Sequence, residues 1–404
     1  MRHVPGVIQT ASLLALTSEL FNKTNIINLP EGAKYSLQDT LNVIFHAATS
    51  TTNSIESASI DLQIKNPDKR VQSGDSIHDY INSNNINYIL SSFRKINSEI
   101  VELSDLKGTF QDAAIDFHDI PYYGDINTIG IRGIKPKNGT SWGYSFCSLD
   151  IIGETKLTLD VIDIAGLTKN YSVLIESLLQ RINMMGVFVN TLFMDREFFN
   201  FPAISTLHKL NVQYVIAAKS NKRINKMLME HKKKFGCTST ILEYQFEKGG
   251  PKFNIVAILN KKYDPNTKKE KGNNEYFLFA TNLVIKSTSE FVKKIPEEYR
   301  KRWNIETGYR VKNSFKIRTC SKSPVARILF FLVQCLLYNV MNLLKSVLEI
   351  DAYKLKSAIS SAIVTCIKEG YKPLCEIPIK MFMMILRKYN IERNQTLRTR
   401  LQEI

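Results

Sequence analysis

The sequence predicts a mixed α/β core, preceded by a helical domain and interrupted by a β-rich insertion. Three observations predict it. Residues 1–105 carry apolar residues mostly at helical spacing. From about residue 110, short runs rich in β-branched and aromatic residues alternate with helical stretches, the signature of an α/β core. Between 218 and 290, a basic stretch leads into three more β-like runs.

In the first part, 36–48 (SLQDTLNVIFHAA) is apolar at helical spacing, and 52–62 repeats small and apolar residues. Ser73-Gly-Asp-Ser offers an N-cap ahead of 77–81, and 86–103 forms another amphipathic stretch. Short helices in series suit a helix-turn-helix DNA-binding module or a helical cap equally. In the core, 112–117 (DAAIDF) reads as a short buried strand, followed by turn chemistry at Pro121 and Gly124-Asp125. Residues 142–149 and 156–162 read as two further strands, with Gly153 as hairpin punctuation. A helix at 171–185, a strand at 187–194 ending at Asp195, a helix at 201–210 and a strand at 212–217 complete the order. The insertion supplies runs at 241–246, 253–259 and 276–280, the last two separated by the charged linker KKYDPNTKKEKGNN. Long helices at 297–315 and 324–349 return to the core, and the tail after 350 is helical and basic. The expected domains are 1–105, 106–217, 218–290, 291–349 and 350–404.

Charge narrows the function. The formal net charge is +16, but residues 1–110 hold 9 Lys/Arg against 11 Asp/Glu. Most of the excess lies in 218–302, with 20 Lys/Arg against 9 Asp/Glu. Such a surplus points to a polyanionic partner, nucleic acid first and anionic membrane second. The slightly acidic first part weakens the DNA-binding reading there. The six cysteines (Cys147, Cys237, Cys320, Cys335, Cys366, Cys375) show no zinc spacing and read as reduced thiols of a cytosolic protein. The N-terminus lacks a signal-peptide pattern. Gln334, Asn339 and Asn342 interrupt the most apolar run, 328–344, so a buried core helix fits it better than a membrane span.

Three acids stand out by placement. Asp116 lies on a short apolar strand, Asp195 ends another, and Glu306 sits in the helix YRKRWNIETGYR. A strand-end carboxylate is costly to bury without a cation or donors, and two side by side repel. A helical Glu packed across the sheet completes an all-oxygen pocket suited to Mg²⁺ or Mn²⁺. Each acid alone is more plainly a cap, a turn residue or a solvated partner of Arg302 or Arg310. At about 100° per residue, Tyr299, Arg302, Glu306 and Arg310 fall within an arc of about 80°, an acid flanked by phosphate-reading groups. Thr307, Gly308 and Asn313 make this a poor helix for stability, which favours a functional role.

With these residues in view, the chain resembles DDE-type insertion-sequence transposases whose core carries a β-stranded insertion. IDFHDIPYYGD, FMDREFF and YRKRWNIETGYR resemble the family's three acidic segments in the right order, over roughly 105–345. The third resembles a Tyr-Arg-Glu-Lys motif, matched by Tyr299, Arg302 and Glu306. The lysine position is Asn313, and the nearby candidates for its role are Lys312 and Lys316, with Lys316 nearer the right face.

The resemblance implies an RNase H-like mixed sheet flanked by helices. It also implies metal-dependent strand cleavage and strand transfer of an insertion sequence in the cytoplasm. Asp116 would bridge two Mg²⁺ or Mn²⁺ ions, with Asp195 and Glu306 each completing one site. Transposon ends and target DNA would be the partners, a homodimer would assemble on them, and no membrane would be involved. Tyr299, Arg302, Arg310, Lys316, Lys232, Lys233 and Lys234 are the expected DNA contacts. His118 reads as a turn residue or a group supporting the site, and Asp119 and Asp125 as turn residues. Trp142 and Trp303 suit core packing better than stacking on an unpaired base, while Tyr244, Phe246 and Phe253 are ambiguous. The competing functions are a transposase-derived DNA-binding protein without catalysis and a metal-dependent nuclease without strand transfer.

Overall fold

A computed structural model describes residues 7–164, 170–263, 274–284, 287–345 and 350–370, with residue 348 and short helical pieces between 379 and 388. The first six residues, Cys375, positions 264–273 of the charged linker and most of the tail beyond 370 lie outside the described residues.

The strands are β1 (Thr109–Pro121), β2 (Arg132–Lys137), β3 (Thr140–Ile152), β4 (Lys156–Asp163), β5 (Val187–Met194), β6 (Gln213–Ala217), β7 (Thr240–Tyr244), β8 (Phe253–Leu259) and β9 (Tyr276–Thr281). Among the described residues they form one sheet in the order β2-β3-β1-β5-β6-β9-β8-β7, with β4 also pairing β3. Within it, β4, β3 and β1 run antiparallel in sequence, and β5 and β6 are parallel to β1. This is the expected RNase H-like mixed sheet.

The helices are α1 (Val7–Lys23), α2 (Leu37–Thr49), α3 (Ile55–Lys65), α4 (Gly74–Asn82), α5 (Ile86–Leu103), α6 (Tyr171–Met184), α7 (Phe201–Lys209), α8 (Lys222–Phe235), α9 (Thr288–Arg300), α10 (Trp303–Lys312), α11 (Pro324–Lys345) and α12 (Ala352–Glu369). In α2 to α5, Ser36, Ser54, Ser73 and Asn85 accept from backbone N–H groups of the first turn, so each start is written in the sequence.

Several expectations are corrected. The strands of the insertion continue the core sheet, because β9 pairs antiparallel with β6 and Thr281 Oγ1 donates to the Tyr214 carbonyl. The basic stretch opening the insertion is a helix, α8, which buries Ile224 and Leu228. The C-terminal segment is no free tail: α12 packs on α1 and α2, and Ser360 lies 3.2 Å from His46. Both helix and strand count were thus underestimated where charge or Gly and Pro masked the pattern, as in β2 (RGIKPK).

Helix α11 is long and apolar enough to cross a membrane, yet 18 of its 22 residues are buried in the protein. Its interrupting polar groups have partners. Asn339 accepts from the Thr158 N–H at 2.8 Å and donates to the Thr158 carbonyl and to Asn97, tying α11 to β4 and α5. Asn342 donates to the Tyr338 carbonyl. A polar group in an apolar helix is tolerable when so satisfied.

Most relevant to function is how α10 lies on the sheet. Residues facing one another on antiparallel strands share a face, and side chains alternate along a strand. Asp116 pairs with Ser148 and Ala114 with Asp150, so Asp116, Ser148 and Asp150 lie on one face. The segment from Lys301 to Lys312 meets that face point by point. Lys301 pairs with Asp112 at 2.9 Å, Asn304 joins the Ile152 carbonyl and Lys156, and Tyr309 bonds Ser148 at 2.7 Å. Lys312 closes the series as a fully buried ion pair with Asp150. Asp150 also accepts from Ser148 at 2.6 Å and Thr158 at 2.5 Å, and the Lys312 ammonium sits over the rings of Tyr309 and Tyr338. Lys312 is therefore structural and not available for the motif's basic role. Gly308 has a packing reason: a Cβ there would meet the Tyr338 hydroxyl at 3.1 Å, so glycine lets α10 approach α11.

Removing one member of a buried pair leaves the other unpaired in a low-dielectric site. Lys312→Met should cost about 3–5 kcal/mol, with Asp150→Asn added to it recovering part of the loss. Urea denaturation measures both. A loss within about 0.5 kcal/mol, the range of surface substitutions, would show that the pair does not anchor α10.

Candidate active site

Asp116 sits mid-way along β1, and Asp195 follows the last residue of β5. The parallel register pairs Ala114 with Phe193 and Ile115 with Met194, so one further step brings the two aspartates level at one end of the sheet. Each carboxylate is held by backbone: Asp116 accepts from the Phe117 N–H at 2.9 Å, and Asp195 from the Glu197 N–H at 2.8 Å. Asp195 is thereby the N-cap of a short 3-10 turn, so the plain and the functional reading of this residue hold together.

Glu306 reaches the site from α10 through Arg302. The Arg302 guanidinium lies 2.5 Å from Glu306 and 3.5 Å from Asp116, bridging the two acids. It rests against the Tyr299 ring, with its centre 5.5 Å from the ring centroid, and the Tyr299 hydroxyl donates to the Met194 carbonyl at 3.2 Å. Tyr299 therefore supports Arg302 and the strand end beside Asp195. The expected continuous helix over 297–315 is interrupted. Arg302, Asn304 and Ile305 take 3-10-type bonds to residues three back, which tightens the turn joining α9 to α10. Tyr299, Arg302 and Glu306 still converge, while Arg310 is exposed further along α10.

Among the described residues, no three His, Cys, Asp or Glu side chains stand close enough to hold a metal ion as arranged. Asp116 and Asp195 stand level on neighbouring strands and Glu306 is linked to Asp116 through Arg302, so in place of a shared coordination shell two of the three acids share a guanidinium. The donor chemistry fits a hard cation: all-oxygen donors, with a positive group already standing between two of them. The site's electrostatics agree. Asp116 is pushed up to about 7, first by burial and further by Asp195 and Glu306, against the pull of Arg302 and the Phe117 N–H. Arg302 is 9% exposed, and its Nε has no hydrogen-bond partner. A buried, unpaired guanidinium N–H calls for an acceptor.

Neighbouring expectations separate. His118 is a strand residue, not a turn residue. It stacks between Tyr309 and Phe331, with centroids 4.6 and 5.1 Å away. Burial, with Lys137, Lys312 and Lys316, pushes its pKa down to about 3, so it is neutral and holds α10 and α11 to β1. Asp119 is also in β1 and accepts from Ser145 at 2.5 Å, whereas Asp125 is the expected turn residue, accepting from the Asn127 N–H. Both tryptophans are on the surface, contrary to the core reading: Trp303 is 63% and Trp142 40% exposed. Tyr244, Phe246 and Phe253 pack together beside Phe199. Lys232, Lys233 and Lys234 end α8, with Lys232 paired to Glu275 at 2.6 Å. Sequence reasoning missed Asp150, because the strand was ended at 149. A cleft of about 460 Å³, lined by Asp119, Ser145, Arg196, Glu197 and Lys219 among others, opens beside Asp195.

The comparisons follow from this geometry. Residues 156–340 match the family model of the transposase DDE domain. The chain carries a DDE-type transposase domain. The matched span includes Asp195 and Glu306 and begins after Asp116. No curated protein matches the sequence significantly. Among solved structures, the transposase is similar to the cryo-EM structure of a piggyBac transposase synaptic complex with hairpin DNA. The likeness has a TM-score of 0.51 at 13% identity, covering 99% of this chain and 82% of that one. At that identity it speaks to the fold, which is the mixed sheet flanked by helices.

The raised Asp116 pKa has a sign. The folded value lies above the unfolded one, so the folded transposase holds this proton more tightly. The resulting stability is complete below about pH 4 and is lost as pH rises through about 7. Without divalent metal, the wild type should lose up to about 4 kcal/mol across that window, and Asp116→Asn should flatten the slope. Urea midpoints measured in EDTA across the range check this. Equal slopes for the two proteins would assign the effect elsewhere.

Proposed function

We propose that this transposase cuts the strands at the ends of an insertion sequence and joins them to target DNA, with Asp116, Asp195 and Glu306 as its catalytic carboxylates. The observation that supports the reading is the electrostatic coupling of three acids, from three distant segments, around one buried arginine. The three would hold Mg²⁺ or Mn²⁺, two ions in all, which when bound neutralise phosphate charge and activate the attacking water or 3′-hydroxyl.

The chain's own groups do the positioning. Asp195, fixed by the Glu197 N–H, and Asp116, fixed by the Phe117 N–H, present oxygens from a rigid sheet. The unpartnered Arg302 Nε is the natural donor to an oxygen of the phosphate under attack, with Tyr299 behind it. The end of α9, the turn after it and α10 then carry the Tyr-Arg-Glu part of the Tyr-Arg-Glu-Lys motif, whereas Lys312, committed to Asp150, is not free to take the lysine's role. Arg310, with Lys233 and Lys234 on α8, would track the phosphate backbone, Lys232 contributing once released from Glu275. The protein would act on DNA in the cytoplasm, as a homodimer on paired transposon ends.

Alanine at Asp116, Asp195 or Glu306 should abolish Mg²⁺-dependent cleavage of a plasmid carrying the gene with its native flanks, while gel shifts persist. Ca²⁺ should support little chemistry, since its coordination is longer and looser. Arg302→Ala should cut activity by about 10²-fold or more, as for a lost transition-state donor, with little change in melting temperature. Cleavage without joining would make the protein a nuclease, and binding without cleavage a DNA-binding derivative.

The basic surface has its own test. Changing Lys232, Lys233 and Lys234 together to Ala should weaken binding to unrelated sequences alike and flatten the slope of log affinity against log salt. An unchanged slope would remove these residues from the DNA path.

A further inference from the structure

A second basic surface lies apart from α8. The β2–β3 hairpin lies at one edge of the sheet and carries Lys137. The segment leaving α10 carries Lys316 and Arg318, and the first turn of α11 carries Arg327. These pieces are locked together. The Tyr144 hydroxyl lies 3.3 Å from both the Ile129 and the Lys322 carbonyls, linking the arm to the chain ahead of α11. The Arg327 guanidinium sits over the Tyr144 and Tyr122 rings at 4.7 and 5.0 Å, and its Nε donates to the Ser321 carbonyl. Lys137 donates to the Asp119 carbonyl at 3.2 Å.

The four cations have no acid among them. Among the described residues, none forms a salt bridge within 4.0 Å, although twelve other Lys and Arg side chains do. Burial lowers the Lys316 pKa, and so do the like charges of Lys137, Arg318 and Arg327, with no acid offsetting them. Like charges held together in a rigid frame cost energy that a bound anion removes. Beside them the β1–β2 connection exposes Tyr123 and Ile129, and the arm exposes Trp142; the Tyr123 hydroxyl donates to the Asn138 carbonyl at the arm's tip.

We propose that the arm and the segment from Lys316 to Arg327 form a docking site for DNA phosphodiesters, distinct from the carboxylate centre. The proposal rests on the transposase reading given above. The site takes consecutive phosphates, with Arg327 setting the frame, Lys137, Lys316 and Arg318 making the contacts, and Trp142 resting against the sugar or an unpaired base. Its distance from the chemistry follows from β1. Asp119, which Lys137 touches, is three residues beyond Asp116, or about 10 Å along the strand. At about 3.4 Å of axial rise per nucleotide, the phosphates held here lie about three nucleotides from the one under attack.

The test uses the full chain and a fluorescent duplex of arbitrary sequence, without divalent metal, in a salt series followed by anisotropy. Arg318 is exposed and Lys316 reaches the surface with its stem partly covered, so Lys316→Ala/Arg318→Ala should change melting little. It should weaken binding about tenfold near physiological salt and reduce the log–log slope by about one to two, one step per lost phosphate. Lys137→Ala, from the other side of the site, should reduce it by about one. Trp142→Ala should lower affinity for a nicked or frayed duplex with the slope unchanged, as for an uncharged contact. If the Lys316/Arg318 and Lys137 variants keep both wild-type affinity and slope, the docking site is wrong and the transposase reading stands on its cleavage test. If the wild type binds no duplex at all, both fall together.

Discussion

The position of α10 depends on one buried contact, the ion pair of Asp150 and Lys312. A buried pair gains little net stability over an apolar replacement, but it penalises any alternative register heavily, because either partner left alone carries an unpaired charge. Here it fixes the C-terminal end of α10 on β3, while Lys301 and Asp112 fix the approach to the other end. The helix between them has no freedom to slide. Arg302 and Glu306 are therefore delivered to the level of Asp116 as a consequence of packing, and not through any attraction the acids have for one another.

That delivery creates an electrostatic problem which the structure only partly resolves. Burial disfavours the Asp116 carboxylate, and repulsion by Asp195 and Glu306 adds to the cost, so Asp116 holds its proton up to about pH 7. Arg302 offsets part of this by standing between Asp116 and Glu306, yet one of its own N–H groups goes unmatched. An arrangement tuned for stability alone would place an acceptor there or remove an acid. A site that must receive cations and a phosphate is expected to carry such unbalanced groups, since local rules of folding are broken where function is served.

The core was legible because its signals are local. The strand at 187–194 and the helix at 171–185 follow from residue type and spacing, and Asp195 at the strand end from sequence alone. What escaped were features set by tertiary contact. Asp150 fell outside the expected strand, because an acid is a poor strand residue until a buried lysine is known to face it. Gly308 looked like a concession to function, whereas it serves the close approach of α10 to α11. The exposure of Trp142 and Trp303 ran against composition, which places large aromatics inside on average. Helix α8 was hidden under its lysines, although Ile224 and Leu228 carry the four-residue spacing of its buried face.

The two kinds of charge in this protein divide one task. A cluster of carboxylates repels DNA, so a centre built from them must be brought to its substrate by charges outside it. Those charges must lie on more than one side, or the backbone would be held against the protein without being drawn across the acids. The basic helix α8 and the group of Lys137, Lys316, Arg318 and Arg327 belong to different parts of the fold. A strand held at both would have its phosphates gripped by groups anchored in the sheet and in α11. On the proposed reading, the cations that Asp116, Asp195 and Glu306 would hold then have to recognise only the single phosphate that reaches them, and the energy of holding the rest would come from contacts that do not change during the reaction.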